Sequence, residues 1–444
     1  MTASSIPKSS DTRQMQHASG LGPISAEIGI IEMQMNAQQK LQMTSPPRNR
    51  SLDFLRGFAI LLVLFNHLEP LTVPMLPNLE GVSGFIYWRL KNLGWTGVDL
   101  FFVLSGFLIS GLLFKELEQT GRLNLGRFWV RRGFKILPSY WLLLGVLAIT
   151  GAGHWLVTHS GLDLIRSLLA HLLFFQNYLA FNPNGPTWSL AVEEHFYLLL
   201  PLLLLLVIRK TGQGMTVKTT RTLGWTLLAI LFGIPILRLL GAVHGLHLED
   251  FRRTHFRLDG LSYGVLAQLL CRYHAEALTP LRRHPGAAYL IGLAFVSSGF
   301  FLNPMQPVMF TFGYTLLSIG YSLFLLTSYL NGLGRWEQFK VVRVVTQVGR
   351  WSYNIFLWNF FLWVLPLPFY RQAHNWVAAQ GHWPPLQVIE HFLIFSAFAI
   401  ILGALLTELF ENPILKLRER IPWNSRRSAT TKLGNNLVPE PGQA

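Results

Sequence analysis

The chain has 444 residues, of which 51% are hydrophobic and only 13% are charged. A soluble domain averages about 25% charged residues, so a water-soluble globule is excluded as its main body. The +15 charge, from 37 basic and 22 acidic residues, is accounted for by basic cytoplasmic loops rather than by a nucleic-acid partner. A single cysteine, Cys271, excludes an internal disulfide and most thiolate metal sites, and no metal is expected.

Residues 1–50 read as a polar N-terminal tail without the pattern of a signal peptide. Residues 51–413 form the transmembrane domain. Residues 414–444 form a basic, partly disordered cytoplasmic tail. Spans are expected near 54–70, 97–115, 137–153, 190–208, 223–241, 258–271, 287–302, 308–330, 348–365 and 388–410. No obvious internal repeat and no soluble domain of useful size interrupts them. Basic runs at Lys115–Lys135, Arg209–Arg221, Arg272–Arg283, Arg335–Arg350 and Lys416–Arg427, with Arg48 and Arg50, mark one side as cytoplasmic. The predicted fold is all-α and polytopic in the lipid bilayer, with about ten transmembrane helices and both termini cytoplasmic. If "IRSLLAHLLFFQNYLA" crossed the membrane, Arg209 and Lys210 would fall outside. It is therefore read as an outer-face or re-entrant helix.

Ionisable residues intrude into these apolar runs. In "SLDFLRGFAILLVLFNHLEP", Arg56 and His67 are eleven residues apart, so they share nearly one helix face. Their axial separation is roughly 16 Å. A snorkelling arginine and a capping histidine would look the same when each is taken alone. The second span opens with Asp99, and its glycines permit close helix packing. The fourth opens at "TWSLAVEEHFY". There Glu193 has Ser189 and Tyr197 a turn to either side, with Glu194 and His195 next to it. A solvated interfacial face is the plainer explanation. In "FRRTHFRLDGLSYG", Arg257 and Asp259 could pair with each other. Arg238, inside the fifth span, has no role assigned by pattern. Pro138 fits the first turn of the third span, just after Arg127, Arg131, Arg132 and Lys135. Orientation alone explains such a basic run. A site for a phosphorylated cytoplasmic ligand would use the same residues, because arginine binds phosphate as a fork and lysine as a point charge.

Taken in order, "RGFAILLVLFNH", "GVDLFFVLSGFLIS", "RRGFKILPSYW", "WSLAVEEHFYLLLP", "FRLDGLSYG" and "ENP" resemble the motifs of the acyltransferase-3 family of integral-membrane acyltransferases. The resemblance covers Ser51 to Pro413. It implies a membrane-bound O-acyltransferase that takes an acyl group, by default acetyl, from cytoplasmic acyl-coenzyme A. The implied acceptor is a hydroxyl of an extracytoplasmic glycan or of a small molecule, and the implied location is the plasma (inner) membrane. The first signature carries over onto Arg56 and His67. The donor motif carries over onto Arg132 and Lys135, with Arg131 beside them. Two positions depart from the family. Lys135 stands where arginine is usual, which removes forked phosphate binding there. Asn359, in "WSYNIFLWNFFLW", stands where histidine commonly follows the tryptophan, so it offers hydrogen bonds but no titration near neutral pH.

Acyl transfer to an alcohol requires removal of the hydroxyl proton, and histidine is the usual base near neutral pH. His67 is thus the expected general base, oriented by Glu193 or Asp99, with an acyl-histidine relay as the alternative route. Arg56 would steady the donor's phosphates or the thioester oxygen. Trp188, Tyr197, Arg257, Asp259 and Asn359 complete the expected site as substrate-binding residues. Specificity is expected in the outer segments near 154–188, 242–257 and 366–387. A transporter or flippase would use the same buried charges as a substrate path. A non-catalytic family member is the third reading, which Asn359 keeps open.

Overall fold

A computed structural model describes residues 49–68, 81–150, 164–179, 187–212, 214–247, 250–302, 306–359, 368–380 and 384–420, together with 362 and 382. Nearly all of both expected tails, and the position of Pro186, lie outside these residues. Among the described residues the architecture is helical, without strands. The principal helices are α1 (Arg50–Asn66), α2 (Gly81–Gly94), α3 (Gly97–Thr120), α4 (Leu125–Ile149), α5 (Leu164–Leu172), α6 (Trp188–Thr211) and α7 (Val217–Val243). They continue as α8 (Thr254–Tyr273), α9 (Pro285–Val296), α10 (Tyr314–Asn331), α11 (Lys340–Asn359), α12 (Pro368–Ala379), α13 (Pro384–Leu406) and α14 (Asn412–Glu419).

Among the described residues, six segments are long and apolar enough to cross a membrane. They are Gly97–Thr120, Leu125–Ile149, Trp188–Thr211, Val217–Val243, Met309–Asn331 and Leu386–Glu419. The helices α1, α8 and α11 carry more polar residues and pack in pairs: α1 along α11, and α8 along α3 and α7. A helix shielded from lipid by neighbours tolerates such residues because they can find partners inside the bundle. α5, with nine residues, is only about 13.5 Å long, too short to cross. It stops at Phe174, whose φ of 60° breaks the helix while its ring stacks on Tyr140 at 4.9 Å.

The third predicted span needs correction. Pro138 does not begin the helix but lies within α4. The helix starts a dozen residues earlier, where the Asn124 side chain accepts the Arg127 N–H at 3.0 Å. The basic motif is therefore helical, and neighbouring helices tolerate the hydrogen bond that proline removes.

α1 and α11 touch backbone to backbone. A Cβ at Gly349 would collide with the carbonyl of Asp53, and one at Gly57 with that of Val345. Two small residues at one crossing let the helices approach this closely. Gly349→Ala is expected to cost about 1–3 kcal/mol of stability by overpacking. Thermal melting of the detergent-solubilised protein checks this, and an unchanged midpoint would show that the crossing is loose.

Candidate active site

The α1–α11 crossing fixes the level at which the ends of these helices meet. His67 follows α1 directly, its N–H bonded to the Val63 carbonyl at 3.1 Å. Its Nδ1 lies 2.5 Å from Asn359 Oδ1, at the end of α11. Asn359 Nδ2 donates to the carbonyls of Ile355 at 3.0 Å and Phe356 at 2.6 Å. Those two acceptors fix the amide's orientation, so Oδ1 must face the imidazole. An amide oxygen only accepts, so Nδ1 carries the proton and Nε2 is the basic nitrogen. The arrangement puts asparagine in the orienting role it has in Cys-His-Asn catalytic sites.

The expectation that Glu193 or Asp99 orients His67 is not what the hydrogen bonds show. Glu193 Oε1 accepts from Ser105 at 3.0 Å and Oε2 from Tyr197 at 2.8 Å. The Tyr197 bond follows from the i,i+4 spacing on α6. The Arg56 and Arg132 charges also act on Glu193, while Glu194 is coupled to Glu193 and Arg132. Arg56 itself bonds Asp53 at 3.4 Å. All of Arg56, Ser105, Arg132, Glu193 and Glu194 are only partly buried. Four elements (α1, α3, α4 and α6) thus converge on one polar region between the ends of the bundle.

The three residues of the basic motif separate. Arg131 is exposed, and its charged neighbours are Arg418, Arg127, Glu419 and Glu116. Arg132 instead approaches the rings of Phe128 at 5.9 Å and Tyr197 at 6.0 Å. Its guanidinium forms no ion pair or hydrogen bond with any described residue. Lys135 pairs with Glu411 of the "ENP" motif. Of the three, Arg132 and Lys135 are half-buried and Arg131 is exposed.

A second charged cluster is sealed. Arg257 does not pair with Asp259 but donates to Asp99 Oδ1 at 2.6 Å, while Arg238 donates to Asp259 Oδ2 at 2.7 Å. The four side chains are 0–2% exposed. The α-helical i,i+2 spacing explains the correction, since it points Arg257 and Asp259 to different sides of α8. Arg257 is held over Tyr314 at 3.7 Å and lies 5.5 Å from both Phe102 and Trp188. Arg238, which has no role assigned by pattern, also bonds Thr315 at 2.6 Å and the Phe256 carbonyl at 3.2 Å. The Asp99–Arg257 pair thus ties α3 to α8 and the Arg238–Asp259 pair ties α7 to α8, and Trp188 packs against that cluster.

A family model described as an acyltransferase domain matches residues 49–408. The chain belongs to the acyltransferase-3 family. With its six long apolar helices, this acyltransferase-3 chain is an integral membrane protein. A Staphylococcus aureus (strain COL) protein named "Putative O-acetyltransferase" is 26% identical to it over 331 residues, 70% of this chain and 50% of the relative. The O-acetyltransferase OatA of S. aureus (strain NCTC 8325) is 24% identical over 351 residues, 75% of this chain and 53% of the relative. The chain spans about half the length of these curated relatives. No solved structure gives a significant match.

The motifs that carry the family resemblance in the sequence are those that place Arg56, His67, Glu193 and Arg132. The sequence does not reveal that Glu411 is the partner of Lys135. Glu411 stands in the sequence only as part of the closing "ENP" motif.

Proposed function

We propose that this chain is a membrane O-acyltransferase that moves an acetyl group from cytoplasmic acyl-CoA to a hydroxyl on the far side of the membrane, with an extracytoplasmic glycan as the acceptor class. The His67–Asn359 pair carries the reading, because a rigid amide fixes the tautomer and ring orientation of the imidazole. The names of the O-acetyltransferase relatives support acetyl as the group. His67 Nε2 takes the acceptor's hydroxyl proton as its oxygen bonds to the thioester carbonyl carbon. The carbon–sulfur bond then breaks, and the imidazolium returns the proton to the coenzyme A thiolate. Arg132 and Arg56, whose charges act on each other, hold the donor's phosphates at the basic end of the site. Glu193, held by Ser105 and Tyr197, balances these cations. Asp99, Arg257 and Asp259 support Trp188 from the sealed cluster.

The orientation follows the basic flanks. Counting α1, α8, α11 and the Pro285–Phe301 helix with the six long spans gives about ten crossings, with both ends on the cytoplasmic side. The short helices α2, α5 and α12 then share the outer face with the His67 end of α1. The membrane in this reading is the plasma (inner) membrane.

The test supplies labelled acetyl-CoA to the tail side of vesicles containing the purified protein, with a panel of oligosaccharides on the other side. Labelled ester on a sugar is expected. Movement of an unmodified solute without any ester product would favour a transporter and overturn the proposal. Arg132→Ala is expected to raise KM for acetyl-CoA by roughly tenfold to a hundredfold with kcat little changed. A KM equal to that of the wild type would remove Arg132 from the donor site.

A further inference from the structure

Glu411 closes a π-helical turn, Thr407–Glu411, that follows α13. Such a turn re-aims side chains within a helix and recurs at functional sites. Here it leaves Glu411 only 2% exposed. Both carboxylate oxygens are held from other helices. Oε1 accepts from Lys135 Nζ on α4, and Oε2 accepts from Asn354 Nδ2 on α11 at 2.8 Å. Asn354 Nδ2 also reaches Thr407 Oγ1 at 2.9 Å, and that hydroxyl donates to the Gly403 carbonyl at 2.7 Å. Glu411, Asn354 and Thr407 thus form one chain of hydrogen bonds that starts at Lys135.

The pair is asymmetric. Its acid is sealed, while the Lys135 side chain is 35% exposed. The ammonium has three donors and needs only one for Glu411. Its Nζ lies 5.7 Å from the Tyr353 ring centroid, and the charges of Arg56 and Arg132 act on it. Without an acid beside it, that like-charge pressure would turn a flexible lysine away from Arg132. An arginine's planar fork is pre-organised, whereas a lysine on a four-carbon stem is not. Lysine at the end of this basic motif therefore needs an external fixture.

We propose that Glu411 is a positioning residue for the acyl-CoA donor: it fixes Lys135 beside Arg132 so that the two cations together receive the donor's phosphates. The inference rests on the donor reading above. Glu411 itself touches neither donor nor acceptor and acts through Lys135.

Acetyl-CoA binding is measured by calorimetry on the purified full chain in lipid nanodiscs, with thermal melting in parallel. Glu411→Gln is expected to raise Kd by roughly tenfold to a hundredfold. Glu411→Asp keeps the charge one methylene short, melts with the wild type and binds at an intermediate Kd. The exchange Lys135→Glu with Glu411→Lys restores an ion pair and the melting midpoint, yet places a carboxylate on α4 and abolishes donor binding. A merely structural salt bridge would leave binding normal in the exchanged protein. Wild-type affinity in that protein, in Glu411→Gln or in Glu411→Asp overturns the assignment. Absence of binding by the wild type would instead refute the donor reading itself, whatever Glu411 does.

Discussion

His67→Ala is expected to lower acyl transfer by about a hundredfold to ten-thousandfold while the protein keeps its melting midpoint. The loss follows from the base being the group that removes the acceptor proton in the transition state. The fold is spared because the imidazole is only partly buried and lies past the end of α1, outside the Gly57–Gly349 crossing. Asn359→Leu keeps a comparable volume but deletes the amide oxygen that fixes the Nδ1 proton. It is expected to cost about tenfold in kcat, since the imidazole then samples the wrong tautomer and orientation. Labelled ester formation in vesicles measures both variants. Full transfer by His67→Ala would place the base elsewhere. Equal losses in the two variants would show that Asn359 does more than orient.

Arg257→Leu should produce the largest loss of stability, about 3–5 kcal/mol. It strands Asp99, which is 1% exposed, without its ion partner. The second oxygen, Asp99 Oδ2, already has no hydrogen-bond partner among the described residues, so nothing there takes up the charge. Arg238→Leu has the same consequence for Asp259. The double variant Asp99→Asn with Arg257→Leu should regain much of the loss, because the cost lies in an uncompensated buried charge and not in the absence of the pair. Size-exclusion thermostability of the solubilised protein reports it. If Arg257→Leu melted with the wild type, the cluster would be a passenger of the fold.

These two sets of charges look alike in the sequence, since both are ionisable residues near the ends of apolar runs. The structure separates them by access. Arg132, Glu193 and Glu194 remain partly exposed, whereas Asp99, Arg238, Arg257 and Asp259 are closed off by Phe102, Trp188 and Tyr314. Access depends on which rings fold over a charge, and those rings come from three different helices.

What the sequence determined by itself is whatever the helical period and composition can reach. The apolar runs and low charge require membrane helices. The i,i+4 spacing joins Glu193 to Tyr197, and eleven residues align Arg56 with His67. The ordered motifs point to the acyltransferase-3 family. The tertiary structure alone decided the partners across long separations: Asp99 with Arg257 158 residues away, Lys135 with Glu411 276 away, and His67 with Asn359 292 away. A period says which residues share a face of one helix, but not which face meets another or at what height. Here that choice is made by close backbone contact at Gly57 and Gly349, which sets the register of α1 on α11 and with it the meeting of histidine and asparagine.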